Sequence, residues 1–332
     1  MEEVLEKALT RRYAGRLAPS PTGALHLGNI RTFMVAWLRA RTAGGRVVMR
    51  IEDLDHPRDK PGADKALLEE LRILGFDWDE ELRQSERRAI YREAIRALAG
   101  AGLAYPCVCS RRDVEAAQSA PHEGDQLFYP GTCRGRFSSW EEAQTFRGGA
   151  LPCWRFRTPE GSVVSFADAF AGEYLQNVSA TLGDFPLARD PDGAGYTLAA
   201  TLDDLLGGVT EVVRGGDLLA ATPAQILLAR ALKTTGVASA PPPRYCHVPL
   251  AVGPDGRRLA KRHGDTRIAS FLASGVAPDE IIGLLAASCG WIPQGERITL
   301  PALASLLQGR DILASIPREN WVFGRDFLFG QD

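Results

Sequence analysis

RLAPSPTGALHLGN, residues 16–29, joins the end of one element to the start of another and decides the fold. The segment YAGRLA (13–18) reads as a buried strand, and Pro19, Ser20, Pro21, Thr22 and Gly23 are turn formers that stop it. Beyond them Ile30, Phe33, Met34, Trp37 and Leu38 recur at i, i+3, i+4, i+7 and i+8, the rhythm of a helix with one apolar face. Gly44-Gly45 ends that helix, and RVVMRI (46–51) returns as a second buried strand. A strand-helix-strand unit of this length implies a right-handed parallel crossover, which places the chain in the α/β class with a Rossmann-type parallel sheet.

Leucine-rich helical patterns follow at 63–75 and 87–101. From Tyr105 to about Pro186 that rhythm fails, and cysteines, glycines, prolines and aromatic runs such as CWRFRTP suggest a loop-rich insertion. Residues 196–215 return to the sheet pattern through VTEVVRG, and 222–233 form an amphipathic helix through Leu227, Leu228, Ala231 and Leu232. Pro241-Pro242-Pro243 is a stiff break, after which 266–332 reads as short helices with prolines at 278, 293, 301 and 317. The expected division is a nucleotide-binding domain in two halves, 1–104 and 187–245, an insertion at 105–186, and a polar loop with a small helical subdomain at 246–332.

With 332 residues and 45% hydrophobic content the chain can bury the cores of about two domains. A formal charge of −2 excludes a protein coated in basic surface but leaves room for a local basic face that grips nucleic acid. No apolar run approaches the roughly 20 residues of a membrane helix, and MEEVLEKALTRRY lacks a hydrophobic signal core, so a cytoplasmic location is expected. Six cysteines in a chain this long point to free thiols or a metal site rather than a disulfide scaffold.

The junction of strand and helix is where backbone N–H groups and the helix dipole favour anions, and Pro21, Thr22, Gly23, His26, Gly28 and Asn29 occupy it. A triphosphate suits that place, with His26 as a hydrogen-bonding partner and Gly28 permitting close approach. Read alone, His26 is equally a helix-capping residue. Far along the chain GPDGRRLAKRHGD (253–265) is a glycine-flanked loop carrying Arg257, Arg258, Lys261, Arg262 and His263. A lysine delivered by such a loop can stabilise the charge that builds on a transferring phosphoryl group.

RLAPSPTGALHLGN, RIEDLD (50–55), VVRGGDLL (212–219) and RLAKR (258–262), in this order and spacing, resemble the class I aminoacyl-tRNA synthetases of the glutamyl type over about residues 13–265. HLGN stands where that family has HIGH, and RLAKR where it has KMSKS. Asn29 replaces the final histidine and Ala260 the first serine, which implies slower activation than in a full-motif enzyme. The resemblance implies His26 and Lys261 as catalytic residues, and Pro21, Thr22, Gly23, His26, Gly28, Asn29, Arg258, Leu259 and Lys261 as the ATP site. It also implies Arg16, Ala18, Ser20, Glu52, Tyr196 and Arg214 as the glutamate site, with Glu52 on the amine and arginine on a carboxylate. The chemistry agrees, since two carboxylates call for planar bidentate cations and an ammonium for an anion.

Cys107 and Cys109, followed by Tyr129 and Cys133, make a C-x-C…Y-x3-C pattern dense enough to suggest zinc. Three thiolates leave one place open, for which Tyr129 and His122 compete. Cys153, Cys246 and Cys289 have no partners at ligand spacing and read as buried thiols. The pattern resembles the glutamyl-Q tRNA(Asp) synthetases, a truncated branch of the glutamyl enzymes with three cysteines and a tyrosine on zinc, and that resemblance favours Tyr129. The residues after Arg262 are too few for a large anticodon-binding region, as in that branch. Membership implies L-glutamate and ATP with Mg²⁺ as substrates, one structural Zn²⁺, and the queuosine base of the tRNA(Asp) anticodon as acceptor. The alternatives are a compact enzyme charging tRNA(Glu) and a catalytically silent tRNA-binding paralogue.

Overall fold

A computed structural model of the chain describes residues 12–21, 24–54, 62–116, 128–190, 193–257, 259 and 265–324. In chain order the elements are β1 (Ala14–Leu17), α1 (Leu27–Thr42), β2 (Arg46–Ile51), α2 (Ala63–Ile73), β3 (Glu80–Arg83), α3 (Arg88–Gly100) and β4 (Ala104–Cys107). Then come α4 (Arg111–Ala116), α5 (Trp140–Phe146), β5 (Cys153–Phe156), β6 (Val163–Asp168), β7 (Gly172–Asn177), α6 (Val178–Thr181) and β8 (Pro186–Ala188). The second half runs through α7 (Tyr196–Leu206), β9 (Glu211–Gly215), α8 (Thr222–Thr234), β10 (Arg244–Val248) and β11 (Ala251–Val252). It ends with α9 (Ile268–Ala273), α10 (Pro278–Ser288), α11 (Leu300–Leu306) and β12 (Trp321–Val322).

β1, β2 and β3 are parallel neighbours, and β9, β10 and β6 form a second parallel set edged by antiparallel β7. β9 lies beside β1, because Thr210 donates its N–H to the Ala14 carbonyl at 2.8 Å and the Arg16 guanidinium donates to the Val213 carbonyl at 2.7 Å. The layer therefore reads β3-β2-β1-β9-β10-β6-β7, and the chain leaves β1 on one side and returns on the other. Such a reversal opens a crevice beyond the carboxyl ends of the two central strands, where open α/β sheets bind ligands. All four residues of β1 and five of the six in β2 are buried, as strands covered on both faces require.

α1 joins the sheet to the C-terminal helices. Leu27, Ile30, Met34 and Leu38 share one apolar core with Ile268, Phe271, Ile281, Leu285, Leu300 and Leu303. Inside that contact Arg31, 1% exposed, donates to the Pro249 carbonyl at 2.8 Å and to the Ser288 hydroxyl at 3.0 Å. Gly44 turns the chain out of α1 at φ +62°, a conformation that costs a glycine little.

Three elements depart from the sequence expectation. Tyr196 begins a helix, α7, rather than a sheet segment, and only VTEVVRG carries the strand. Among the described residues the stretch 105–186 carries five strands, the first and last running past its ends, and three short helices, with β6 and β7 extending the nucleotide-binding sheet. Half of β7 is exposed, and its two apolar side chains, Tyr174 and Leu175, are adjacent rather than two apart, so no apolar alternation is written in its sequence. β3 (EELR) lies at the other edge with Leu82 as its one apolar side chain, and is held by backbone pairing to β2 rather than by an apolar face. Among the described residues no helix is long and apolar enough to cross a membrane.

Candidate active site

A cavity of about 400 Å³ opens at the switch point between β1 and β9, within the usual range for small-molecule sites. It is lined by Arg16, Ala18, Ser20, Glu52, Tyr196 and Arg214, the whole set expected to face glutamate, together with His26, Gly28 and Asn29. Those residues come from the end of β1, the end of β2, the first turn of α7, the end of β9 and the start of α1. Pro21 is buried outside the cavity lining, and Leu259 is buried in the apolar core, its N–H directed at the Ala251 carbonyl. Thr22, Gly23, Arg258 and Lys261 lie outside the described residues, as does His122.

His26 caps α1. Its Nδ1 accepts the N–H groups of Gly28 at 3.1 Å and Asn29 at 3.3 Å, while the Asn29 side chain accepts the N–H of His26 at 3.1 Å. The bland reading of His26 is thus realised, and it has a chemical consequence. A neutral ring whose Nδ1 accepts two hydrogen bonds carries its proton on Nε2, which makes Nε2 a donor. A Cβ at Gly28 would meet the His26 ring at 3.1 Å and the Ala251 Cβ at 3.2 Å, so a side chain there would press on the imidazole.

The acid and base partners of the cavity form two linked networks. In the first, Arg50, 2% exposed, donates to Glu52 at 3.0 Å and to Asp204 at 2.5 Å, and Asp204 also stands 3.7 Å from the Nε of Arg16. The pairing of Arg50 with Glu52 is structural, and Glu52 lines the cavity as well. Burial pushes the Glu52 carboxyl above the usual carboxylate range, against the pull of Arg50 and Arg16. Burial also lowers the pKa of Arg16, whose Nε has no hydrogen-bond partner among the described residues. A half-buried carboxylate beside a buried guanidinium with an unused donor suits a ligand that carries both an ammonium and a carboxylate.

In the second network Arg214, 5% exposed, donates Nε to the Nε2 of His247 at 2.9 Å and Nη2 to the Thr222 hydroxyl at 2.7 Å. Its Nη1 reaches the Tyr196 hydroxyl at 3.3 Å, and its guanidinium lies 5.4 Å from the centre of the Tyr245 ring. Behind it the Nδ1 of His247 meets Oδ2 of Asp168 at 2.6 Å. Burial pushes the His247 imidazole below its ordinary pKa, outweighing Asp168. Burial works against the Asp168 charge too, but the side chain and backbone of His247 and the N–H groups of Ala171 and Phe170 hold its pKa down to about 2. The pair is therefore a carboxylate and a neutral imidazole.

Sequence reasoning missed Arg50, Asp204, Asp168, His247 and Thr222. Asp203-Asp204 left a signal, since two acids in the otherwise apolar TLAATLDDLL require buried partners. His247 left none, because a histidine in a buried strand reads as an ordinary core residue.

The cysteine cluster lies apart, in the insertion. The Sγ atoms of Cys107, Cys109 and Cys133 lie within 4.8 Å of one another, and Cys109 and Cys133 are 3.6 Å apart. The Tyr129 hydroxyl is 3.2 Å from Cys107 and 3.6 Å from Cys109. Zn–S bonds of about 2.3 Å put the sulfurs of a tetrahedron about 3.8 Å apart, close to these separations. The donors are also prepared for negative charge: the Cys133 N–H reaches the Tyr129 oxygen at 2.9 Å, and Arg155 Nε reaches the Cys107 sulfur at 3.2 Å while its guanidinium covers the Tyr129 ring at 3.7 Å. These four side chains fit a metal ion. Cys246 and Cys289 are buried as expected, whereas Cys153 sits directly opposite Cys107 in the β4–β5 pairing, at the edge of the cluster.

Residues 13–301 match the family model described as tRNA synthetases class I (E and Q), catalytic domain. A glutamyl-Q tRNA(Asp) synthetase of Symbiobacterium thermophilum is 44% identical over 316 residues, covering 92% of this chain and 94% of that protein. One from Rhodopirellula baltica is 45% identical over 297 residues, covering 85% and 86%. Among solved structures, a glutamate tRNA ligase from Elizabethkingia meningosepticum superposes with a TM-score of 0.77 at 24% identity, over 96% of this chain and 68% of that one, a likeness of fold. The chain belongs to the class I glutamyl- and glutaminyl-type tRNA synthetases and, within them, to the glutamyl-Q tRNA(Asp) synthetases.

Proposed function

We infer that this protein activates L-glutamate with ATP as glutamyl-adenylate and transfers the glutamyl group to the queuosine base of tRNA(Asp). The observation that carries this reading is one cavity in which two buried arginines, Arg16 and Arg214, share the lining with the half-buried carboxylate of Glu52 beside the N-terminus of α1. Glu52 holds the ammonium, and the arginines hold the carboxylates. The amide dipoles of α1 and the Nε2 proton of His26 receive ATP phosphate oxygens.

In the first step an oxygen of the glutamate α-carboxylate attacks the α-phosphorus. A new O–P bond forms as the bond to the α,β-bridging oxygen breaks, and pyrophosphate leaves with that electron pair, its charge shared with the Mg²⁺ that accompanies ATP. Positioning and charge stabilisation suffice, so no covalent enzyme nucleophile is needed. In the second step a hydroxyl of the queuosine cyclopentenediol attacks the adenylate carbonyl, the ester C–O bond forms as the bond from that carbon to the phosphate oxygen breaks, and AMP departs with the electron pair while the hydroxyl proton passes to its phosphate. Unpaired bases of an anticodon loop are accessible to such a cleft. The relatives named for this acceptor span nearly the same length as this chain, which supports the assignment.

The test compares transfer of radiolabelled glutamate to tRNA(Asp) from queuosine-replete and queuosine-deficient cells, with tRNA(Glu) alongside. Labelling confined to the replete tRNA(Asp) is expected. Equal labelling of both tRNA(Asp) samples, or of tRNA(Glu) alone, overturns the acceptor; a lack of glutamate-dependent ATP–pyrophosphate exchange overturns the activation step.

Cys107, Cys109, Tyr129 and Cys133 are the ligands of one structural zinc ion, which when bound ties β4 to the loop carrying Tyr129 and Cys133. Protein purified without added zinc should hold one zinc per chain by metal analysis and lose it in Cys133→Ser. Zinc retained in full by Tyr129→Phe would remove Tyr129 from the set and turn attention to Cys153 or His122.

A further inference from the structure

Asp168 and His247 lie behind the cavity wall and touch no substrate position, yet their hydrogen bonds run in one direction toward Arg214. We propose that Asp168 is a positioning residue for glutamate selectivity: it holds the proton of His247 on Nδ1, which leaves Nε2 as the acceptor that orients Arg214. The proposal rests on the reading of Arg214 as the carboxylate-binding residue.

The two oxygens of Asp168 have different tasks. Oδ1 accepts three backbone N–H groups, from Phe170 at 3.0 Å, Ala171 at 2.8 Å and His247 at 3.0 Å, and only Oδ2 faces the imidazole, at 2.6 Å. A carboxylate can only accept, so Nδ1 must be the protonated nitrogen and Nε2 the unprotonated one. Nε2 can then accept from the Nε of Arg214 at 2.9 Å. Thr222, 3.1 Å from Nε2, has its hydroxyl directed at the Leu218 carbonyl at 3.2 Å and accepts Nη2 of Arg214 at 2.7 Å. The acceptor for Nε of Arg214 thus depends on a proton held by Asp168, on the far side of the imidazole. His247 is held in its plane by the Tyr245 ring, which stacks on it at 13° and 6.1 Å.

Asp168→Asn reverses that polarity without changing shape. The three N–H groups demand an oxygen at the Oδ1 position, so the amide nitrogen must take the place facing His247. It donates, Nδ1 becomes the acceptor, and the ring proton moves to Nε2, where it opposes the Nε–H of Arg214. Two donors then face each other in a buried site, and the guanidinium turns away.

The experiment is ATP–pyrophosphate exchange with the full chain, reading KM for glutamate, KM for ATP, and the preference for glutamate over glutamine. Asp168→Asn should raise the glutamate KM by about tenfold to a hundredfold and erode the preference, with the ATP KM little changed, because a hydrogen bond to a charged group is at stake. In a His247→Gln background, whose amide oxygen can accept from Arg214 without Asp168, adding Asp168→Asn should have no further effect on the glutamate KM. An unchanged glutamate KM in Asp168→Asn, or the same loss in both backgrounds, overturns the relay. Should Asp168→Asn fail to fold, His247→Gln and His247→Leu decide the matter: the relay requires glutamine to keep more glutamate affinity than leucine, and equal losses refute it. Arg214→Ala separates the two levels of the argument. If it leaves glutamate recognition intact, the pocket assignment itself falls; if it destroys recognition while Asp168→Asn does nothing, only the relay falls.

Discussion

Arg214→Ala should abolish the preference for glutamate over glutamine, lowering the ratio of their kcat/KM values by about a hundredfold or more. Sites built to satisfy a charged or hydrogen-bonding group discriminate strongly because the wrong ligand leaves buried polar atoms unpaired. Here the guanidinium is buried, and two of its three nitrogens are committed to His247 and Thr222. The third lies on the side of Tyr196, at 3.3 Å from its hydroxyl and on the cavity lining. Arg214→Lys should fail nearly as completely, since an ammonium on a flexible stem cannot bond both partners and still present a donor to the ligand. ATP–pyrophosphate exchange with glutamate and glutamine measures both variants. Unchanged selectivity in Arg214→Ala would move the side-chain carboxylate to Arg16, which is buried on the same cavity with Nε unused.

Lys261→Ala should reduce glutamyl-adenylate formation by about a hundredfold or more, the scale of removing one preorganised group that stabilises transition-state charge. Lys261 itself lies outside the described residues, but both flanks of its segment are placed. Leu259 is buried in the core and bonded to Ala251, a residue of the cavity lining. On the other side the Thr266 carbonyl accepts the N–H of Leu27, the first residue of α1, and Arg267 pairs with His26. The described residues on either side of Lys261 therefore lie near the N-terminus of α1. The expected signature is a fall in kcat with a smaller change in the glutamate KM, because the lysine serves the moving charge and not the amino acid. Exchange at a near-normal rate would remove Lys261 from the mechanism.

How far the sequence alone carries differs from element to element. β1, α1 and β2 were legible because they are buried on fixed faces, and burial writes a period into the residues. β3 and β7 were not, since EELR and GEYLQN lie at the two edges of the sheet, where backbone pairing substitutes for apolar contact and the side chains are left without a rhythm. The helix that begins at Tyr196 is hard to read because TLAATL is apolar almost throughout, and short apolar runs do not separate a buried helix from a buried strand.

The residues alone reveal the chemistry on offer: at the cavity a histidine at a helix start, a carboxylate at one strand end and arginines at two others, and in the insertion three cysteines with a tyrosine. These could be read because each belongs to a short local pattern. How those groups are held is set by contacts between distant parts of the chain. Arg50 bridges Glu52 to Asp204, a residue 154 positions away, and Asp168 reaches Arg214 through His247, 79 positions further along the chain. Asp168, His247 and Arg214 leave no mark in local order, because they meet only when β6, β9 and β10 pair side by side, and Arg50 meets Asp204 only when α7 packs against β2. The physical reason is burial: removed from water, each charge must find its hydrogen bonds among whatever the folded chain brings within about 3 Å, wherever in the sequence those atoms come from.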